Sequence, residues 1–445
     1  MRIYLDNCIY QDLKKEENKT LYSSIIESKQ YNIYLFSEAH LYDLSRDVTN
    51  EKYIDMEFIE SICENNCLLN DASGARLLTP KEYYNMYDWE NLIKSEDIFK
   101  SEDPFIKLIM DMFKNIPLPF NSIFKSDLFS SKYPKEFVET MTEPSDLKEY
   151  TELMLKASDQ MKEHPFFKGI LQGNREVNTT KEFYIAIGIN GFDGEKITDK
   201  EEFKQSYVKY INQSHKFIKN TKVDSYQTFI NMYMGLEILN IVKGKPQKQK
   251  FTNLMNDSRH AYFGAGCDIV VSKDIDFIEK TKFIYDIFDI NTLVLSFEDF
   301  KSIPNLNDGN NFNELINEIT NISEYLYNNN LNGEDNKVLS IALSKIYIGY
   351  FNMLYRVEHE NKWSFIITKK VDEYKNKSLI KEIELITNIL INNLGEDINN
   401  KAFFSRDEII NECWNGRTWY LGQMGIYLNF RNIIELIFYK TIDEN

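Results

Sequence analysis

The chain has 445 residues, a formal net charge of −17 and a hydrophobic fraction of 43%. That length exceeds one ordinary hydrophobic core and suits two or three. Its 28 tyrosines and 30 phenylalanines supply ample apolar surface, which excludes an intrinsically disordered protein. The acidity argues against a protein that coats nucleic acid non-specifically, because neutralising phosphates requires Lys and Arg. Any basic groove must therefore be local.

The cysteines are few, odd in number and scattered: Cys8, Cys63, Cys67, Cys267 and Cys413. No second Cys or His pair lies near Cys63 and Cys67 to complete a zinc site, so we expect reduced thiols and a cytoplasmic protein. The first residues, Met-Arg-Ile-Tyr-Leu-Asp, predict a strand rather than a signal peptide. The apolar stretch Phe229–Val242 is too short and too polar to predict a membrane span.

Residues 1–70 have the pattern of alternating strands and helices. The predicted elements are a strand at Arg2–Leu5, a helix at Leu13–Ser28, a strand at Tyr31–Phe36, and helices at Ser37–Asp47 and Tyr53–Glu64. This order favours a parallel α/β sheet.

Residues 71–249 predict a large, mostly helical insertion. Apolar residues recur at helical spacing in 105–116 and, less regularly, in 153–161. Phe183–Ile189 fits either a strand or a buried helix, and Tyr226–Val242 predicts a helix ended by Gly244 and Pro246.

The α/β pattern returns over residues 250–303. The predicted elements are a helix at Asn256–Gly264, a strand at Asp268–Ser272, a loop at Lys273–Phe277, a helix to Phe288 and a strand at Thr292–Ser296. After a linker at Asn305–Asn311, residues 312–445 predict a separate α+β domain of unassigned role. Its predicted elements are helices at 312–329 and 337–350 and strands at Trp363–Ile367 and within Tyr427–Tyr439.

Acidic residues fall where parallel strands end. Asp6 ends the first strand, while Asp274 and Asp276 follow a later one. Asp257 lies on the helix before that later strand, and Asp43 on the helix after the second strand. Sites in parallel α/β sheets form at the carboxyl ends of the strands, so these side chains can converge.

Converging carboxylates raise one another's pKa, and hard divalent cations are the usual remedy. Oxygen-only ligands favour Mg²⁺ or Mn²⁺ over zinc. Such a site suits phosphodiester hydrolysis, because the metal lowers the pKa of bound water and neutralises charge in the transition state.

The run from Asp257 to Phe277 resembles the C-terminal motif of PIN-domain ribonucleases, in which an Asp opens a helix rich in small residues, followed by a strand ending in Thr-x-Asp or Thr-x-Asn and an Asp-Phe pair. Ser272 stands where Thr is commoner. Tyr4-Leu5-Asp6-Asn7 is similar to the family's first strand, and 36–44 to the segment that supplies a Glu before Leu, here Asp43. Val294–Phe300 resembles the closing strand.

The resemblance covers residues 1–70 and 250–303, under a third of the chain. It implies a PIN-like parallel sheet flanked by helices and Mg²⁺- or Mn²⁺-dependent endonucleolytic cleavage, usually of RNA. It assigns metal ligation to Asp6, Asp43, Asp257 and Asp274, with Asp276 in support. By analogy alone, such a chain suits a toxin or phage-defence effector with a regulatory protein partner or a homo-oligomeric state.

Simpler roles compete for the same residues. Asp257 could cap its helix, Asp276 could turn the chain, and Glu38 competes with Asp43 as the second ligand. His40 and His260 are expected to be packed or surface side chains rather than phosphate contacts. Two features remain as candidates. We expect the tryptophans Trp363, Trp414 and Trp419 in a core and the basic run 245–250 in a solvated turn.

Three other functions remain as alternatives to an endoribonuclease. A PIN-like scaffold would bind nucleic acid or protein without cleaving, and a related nuclease would act on DNA. A phosphotransferase of the haloacid dehalogenase type also uses an Asp after the first strand, but it needs a second Asp two residues later, where Cys8 stands.

Overall fold

The computed structural model describes residues 1–69, 75–86, 165, 168–169, 171–173, 181–215, 225–242, 251–303, 311–328, 339–359, 362–370, 374–375, 378–411 and 413–440. These residues form two six-stranded sheets, each covered by helices. The helices predicted at 105–116 and 153–161 lie outside the described residues.

The first sheet has five parallel strands and one antiparallel edge strand. Its strands are β1 (Arg2–Leu5), β2 (Ile33–Ser37), β3 (Asn66–Leu68), β4 (Ala75–Leu77), β5 (Ile269–Ser272) and β6 (Leu293–Ser296). Their order is β4-β3-β2-β1-β5-β6, and only β4 runs antiparallel to its neighbour. Because β1 pairs with both β2 and β5, the N-terminal strand lies at the middle of the sheet.

Eleven helices belong to this part of the described chain. They are α1 (Asn7–Leu13), α2 (Lys19–Ser28), α3 (Glu38–Ser45), α4 (Glu51–Cys63), α5 (Pro80–Asn85), α6 (Lys181–Ala186), α7 (Lys200–His215), α8 (Ser225–Ile238), α9 (Phe251–Ala265), α10 (Ile275–Ile287) and α11 (Phe297–Lys301). Three of them begin at side chains that end strands, since Asp6, Ser37 and Ser296 cap α1, α3 and α11.

Helices α7 and α8 share a hydrophobic core with the sheet. Phe203 and Tyr233 from these helices belong to the same buried cluster as Leu35 of β2 and Val270 of β5. A Cβ added to Gly264 would lie 2.5 Å from Val270 Cγ2, so glycine permits α9 to lie close against β5. The described helices of the insertion therefore pack directly on the layer that carries α9.

The second sheet is antiparallel throughout. Its strands are β7 (Leu339–Tyr347), β8 (Phe351–His359), β9 (Lys362–Thr368), β10 (Arg417–Leu421), β11 (Met424–Phe430) and β12 (Ile434–Lys440), in the order β10-β11-β12-β9-β8-β7. The helices are α12 (Phe312–Asn328), α13 (Ile380–Leu394) and the short α14 (Asp407–Ile410). Alternate strand residues such as Leu354, Leu436 and Phe438 form the buried core with α12 and α13.

Buried ion pairs join the two sheets at the amino-terminal end of β1. Arg2 makes a bidentate pair with Glu382 of α13, with Nε–Oε1 at 2.7 Å and Nη2–Oε2 at 2.8 Å. Lys369 lies 2.9 Å from Asp268, the residue before β5. The side chains of Arg2 and Glu382 are 4% and 6% exposed, so neither charge has water as an alternative partner.

Several predicted elements are wrong or shifted. The helix predicted at 337–350 is strand β7, because its apolar residues pack against β8. The loop predicted at Lys273–Phe277 contains the start of α10, capped by Asp274. The helix predicted at Leu13–Ser28 begins only at Lys19, after α1 and a 3-10 turn. Helix α8 ends at Ile238, before the predicted Gly244 and Pro246, which lie outside the described residues.

No helix among the described residues is long and apolar enough to cross a membrane.

Candidate active site

Asp6 and Asp274 follow the carboxyl ends of the paired strands β1 and β5. Ser272 connects them, because its Oγ donates to Asp6 Oδ2 at 2.6 Å and accepts from the backbone N–H of Asp274 at 3.1 Å. Asp6 and Ser272 are 266 positions apart in the chain. The pairing of β1 with β5 therefore brings the two acids to one place, as the parallel topology requires.

Both carboxylates also receive backbone N–H groups at helix starts. Asp6 Oδ1 accepts from Asn7 at 2.6 Å, and Asp274 Oδ1 accepts from Asp276 at 2.8 Å and Phe277 at 3.2 Å. These bonds hold both carboxylates at fixed positions at the starts of α1 and α10. Asp276 contributes its backbone N–H to this arrangement.

Asp257 lies within α9 rather than at its start. The helix begins at Phe251, so the alternative role of Asp257 as an N-cap is wrong. Burial, followed by the charge of Asp6, raises the pKa of Asp257 to about 7, while Lys280 opposes that rise. The charge of Asp274 raises the pKa further, so Asp257 lies within electrostatic reach of both Asp6 and Asp274.

Asp43 reaches the same region through His260. His260 Nε2 lies 3.3 Å from Asp43 Oδ2 and 4.0 Å from Asp6 Oδ1, which places the imidazole between the two acids. Burial lowers the pKa of His260, but the Asp43 hydrogen bond and the charge of Asp6 outweigh it and the net shift is upward. The neighbouring carboxylates of Asp43 and Asp6 therefore favour the protonated form of this imidazole.

Glu38, the competitor of Asp43, is engaged elsewhere. Its Oε1 accepts from the hydroxyl of Tyr226 on α8 at 2.7 Å. The side chain of Asp43 is 25% exposed and meets His260, which also approaches Asp6. Among the two candidates for the second ligand, the geometry favours Asp43.

His260 is held by a buried polar network that the sequence did not predict. Its Nδ1 lies 2.8 Å from the hydroxyl of Tyr4, which lies 2.7 Å from Ser37 Oγ. His40 is packed beside them, and burial followed by the charge of His260 lowers its pKa to about 3. Its Nδ1 accepts from the N–H of Ser37, which leaves Nε2–H to donate to the carbonyl of Leu5. His40 is therefore structural, as expected, while His260 faces the acids.

Two other predicted features have structural roles. Trp419 is buried in the second core, where its Nε1 donates to the carbonyl of Gly395 at 3.0 Å, so it is not a base-stacking surface. Trp414 packs against Phe404. The side chain of Trp363 and the basic run 245–250 lie outside the described residues.

The acids are gathered without forming a complete metal cage. Within the described residues, no three His, Cys, Asp or Glu side chains are close enough together to enclose an ion. Comparisons of the chain with protein-family models, with curated proteins and with solved structures give no match. The proposals below therefore depend on the geometry and chemistry of this chain alone.

Proposed function

We propose that the chain is a PIN-like, metal-dependent endoribonuclease whose site is centred on Asp6 and Asp274. The observation that carries the proposal is the Ser272 hydroxyl, which bonds to both residues across paired parallel strands. Asp257 and Asp43 approach the same centre from α9 and α3. A carboxylate-rich pocket at the carboxyl edge of a parallel sheet suits hydrolysis of a phosphodiester.

The donor chemistry fits Mg²⁺ or Mn²⁺. All four proposed ligands, Asp6, Asp43, Asp257 and Asp274, are carboxylates, which hard divalent cations prefer. Burial and then the charge of Asp6 raise the pKa of Asp257, although Lys280 and His260 oppose the rise, and a cation beside this carboxylate would favour its ionised form. Such a cation would supply a water of lowered pKa and would neutralise charge on the phosphoryl oxygens.

The chain's own residues have distinct roles in this proposal. Asp6 and Asp274 would hold the ion, with Ser272 and the backbone N–H groups of α1 and α10 fixing their orientation. Asp257, with its pKa near 7, can gain or lose a proton close to neutral pH. His260 would orient Asp43 through the 3.3 Å contact.

A second candidate function is a scaffold that binds nucleic acid or protein without cleaving it. The position of His260 between Asp43 and Asp6 favours this candidate, because an imidazole already occupies the space between these two carboxylates. The absence of a ready three-ligand group among the described residues favours it too.

Cleavage assays separate the two candidates. Purified protein is incubated with labelled total RNA, tRNA and single-stranded DNA in Mn²⁺ or in EDTA, and the ends of the products are mapped. The nuclease predicts Mn²⁺-dependent products with 5′-phosphates, lost in Asp6→Asn and Asp274→Asn. The matched control is Asp286→Asn, whose side chain is 73% exposed on α10. Equal cleavage in EDTA, or full activity in Asp6→Asn and Asp274→Asn, would contradict the proposal, and cleavage of DNA alone would redirect it to a DNA nuclease.

A further inference from the structure

Cationic side chains stacked on aromatic rings flank the carboxylates on one side. The guanidinium groups of Arg46 and Arg259 lie 4.9 and 4.7 Å from the ring centre of Tyr42. Arg46 follows α3, which carries Asp43, and Arg259 stands two residues after Asp257 on α9. The two arginines therefore come from the same helices as two of the proposed acidic ligands.

The opposite side has a similar arrangement built from lysines. Lys273 and Lys301 lie with their Nζ atoms 5.7 and 4.3 Å from the ring centre of Phe297. Lys273 directly follows Ser272, and Phe297 begins the helix after β6. The lysines thus flank Asp274 where the arginines flank Asp43.

The strand order places the two cation pairs and the acids along one edge. Strands β2, β1, β5 and β6 are successive neighbours, with Arg46 after the helix that follows β2, Asp6 after β1, Lys273 and Asp274 after β5, and Lys301 at the end of the helix after β6. Arg259 comes from α9 and meets Arg46 at the Tyr42 ring. Three strand spacings of about 4.8 Å make this edge about 14 Å long. At 3.4 Å per nucleotide of a stacked strand, that length matches about four nucleotides.

The exposure of these groups suits contact with phosphate. The side chains of Arg46, Lys273 and Lys301 are 34%, 45% and 33% exposed, whereas Tyr42 and Phe297 are 9% and 2% exposed beneath them. The rings order the long cationic chains, which lowers the entropy lost on binding, but they are too buried to stack with bases. Arg46 pairs with Asp43, Lys273 with Asp12 and Lys301 with Glu298, and these three cationic side chains stay a third to a half exposed.

We propose that the sugar-phosphate backbone of a single nucleic-acid strand crosses this edge. Its phosphates contact Arg46 and Arg259 on one side of the acids and Lys273 and Lys301 on the other. The recognition is independent of base sequence, because it uses backbone charge alone. This inference rests on and deepens the proposed nuclease function, and it gives a chain of net charge −17 a local basic surface.

The test measures binding separately from cleavage. Full-length Asp274→Asn protein, used as a cleavage-silent background, is titrated into labelled 12-nucleotide RNA or DNA in Mg²⁺, and fluorescence anisotropy is followed across KCl concentrations. The Arg46→Gln/Arg259→Gln pair is compared with the control pair Lys200→Gln/Lys204→Gln. The control removes the same charge from the outer face of α7, where Lys204 pairs with Asp289. Lys273→Gln/Lys301→Gln forms the second test pair.

Each test pair should lower the slope of log K against log [KCl] by about 1.4, since single strands lose about 0.7 per phosphate contact. Affinity should fall about tenfold or more, and Arg46→Lys/Arg259→Lys should restore the slope because it restores the charge. The control pair should leave both unchanged. The RNA and DNA arms show whether the sugar also matters.

Salt slopes of the test pairs equal to those of the control pair would overturn the inference. Competition by polyglutamate as strong as that by nucleic acid would also overturn it, because it would indicate an acidic protein partner. Wild-type steady-state cleavage distinguishes this failure from failure of the nuclease proposal. If the test pairs leave cleavage unaffected, only the proposed path of the nucleic-acid backbone fails, and the nuclease proposal stands. If binding follows the prediction but the chain shows no metal-dependent cleavage, the nuclease proposal fails and the proposed binding surface stands.

Discussion

Crowding of the carboxylates should make the free energy of unfolding depend on pH through Asp257. Burial, and then Asp6, raises its pKa to about 7 from the ordinary 3.8, although Lys280 opposes the rise. Between about pH 4 and pH 7 the folded chain therefore keeps a proton that the unfolded chain has released. The free energy of unfolding must fall as the pH rises through this window.

The magnitude follows from the size of the shift. A difference of about 3 pKa units, at about 1.4 kcal/mol each, corresponds to a loss of up to about 4 kcal/mol by pH 8. Such a loss is large beside the roughly 5–15 kcal/mol that stabilises an ordinary domain. Asp257 keeps partial contact with solvent, so about 4 kcal/mol is an upper figure.

Substituting Asn for Asp257 removes the titrating group and should remove the loss. Asp257→Asn should match wild type near pH 4 and exceed it by up to about 4 kcal/mol at pH 8, as measured by urea unfolding at each pH. Saturating Mn²⁺ should narrow the gap by stabilising the wild-type carboxylate. Glu279→Gln, an exposed change on α10, is the control and should open no gap. A gap that stays constant between pH 4 and pH 8, or one of opposite sign, would refute the reasoning.

The other structural contacts lead to three further expectations. His260→Gln should weaken Mn²⁺ affinity, measured by calorimetry, by about tenfold. Tyr4→Phe should weaken it less, since Tyr4 acts only through the imidazole. Mn²⁺ affinities of both variants equal to that of wild type would contradict a positioning role for His260. Glu382→Gln should lower the free energy of unfolding in urea by about 3–5 kcal/mol, because it leaves Arg2 buried without its counter-charge. The double variant Arg2→Met/Glu382→Leu should recover most of that loss, and no recovery would contradict this account. Ser272→Ala should lower cleavage while changing stability by only about 1–3 kcal/mol, and unchanged cleavage would show that the hydroxyl is dispensable.

Local sequence patterns were sufficient for the strands of the parallel sheet. The apolar runs of β1, β2, β5 and β6 were predicted near their observed positions, because each is short and ended by a capping or turn residue, and β1, β2 and β5 are also fully buried. Strands β3 and β4 were missed, since three-residue strands have too few positions to show a period.

Strand β7 shows where periodicity misleads. Leu343 and Ile346 are spaced as on a helix, whereas Ile341 and Leu343 alternate as in a strand, and the sequence was interpreted as a helix. Pairing with β8, a tertiary contact that no local pattern reports, decides the outcome. Helix α13 was missed although its apolar residues also recur at helical spacing.

The candidate site was partly accessible from sequence because parallel strands present their carboxyl ends at one edge. That rule predicted the meeting of Asp6 with Asp274. It could not predict the Ser272 bridge or the orientation of His260, which depend on side-chain geometry. Nor could the strand-end rule distinguish Asp43 from Glu38 as the second ligand. The structure bears on that choice through the hydrogen bond that the Tyr226 hydroxyl donates to Glu38.

The most direct test of the central claim is anomalous X-ray diffraction from crystals of the full chain soaked in Mn²⁺. The account predicts an anomalous peak about 2.1 Å from carboxylate oxygens of both Asp6 and Asp274, absent from Asp274→Asn crystals. A wild-type map without a peak at these carboxylates, under conditions in which the protein cleaves RNA, would contradict it.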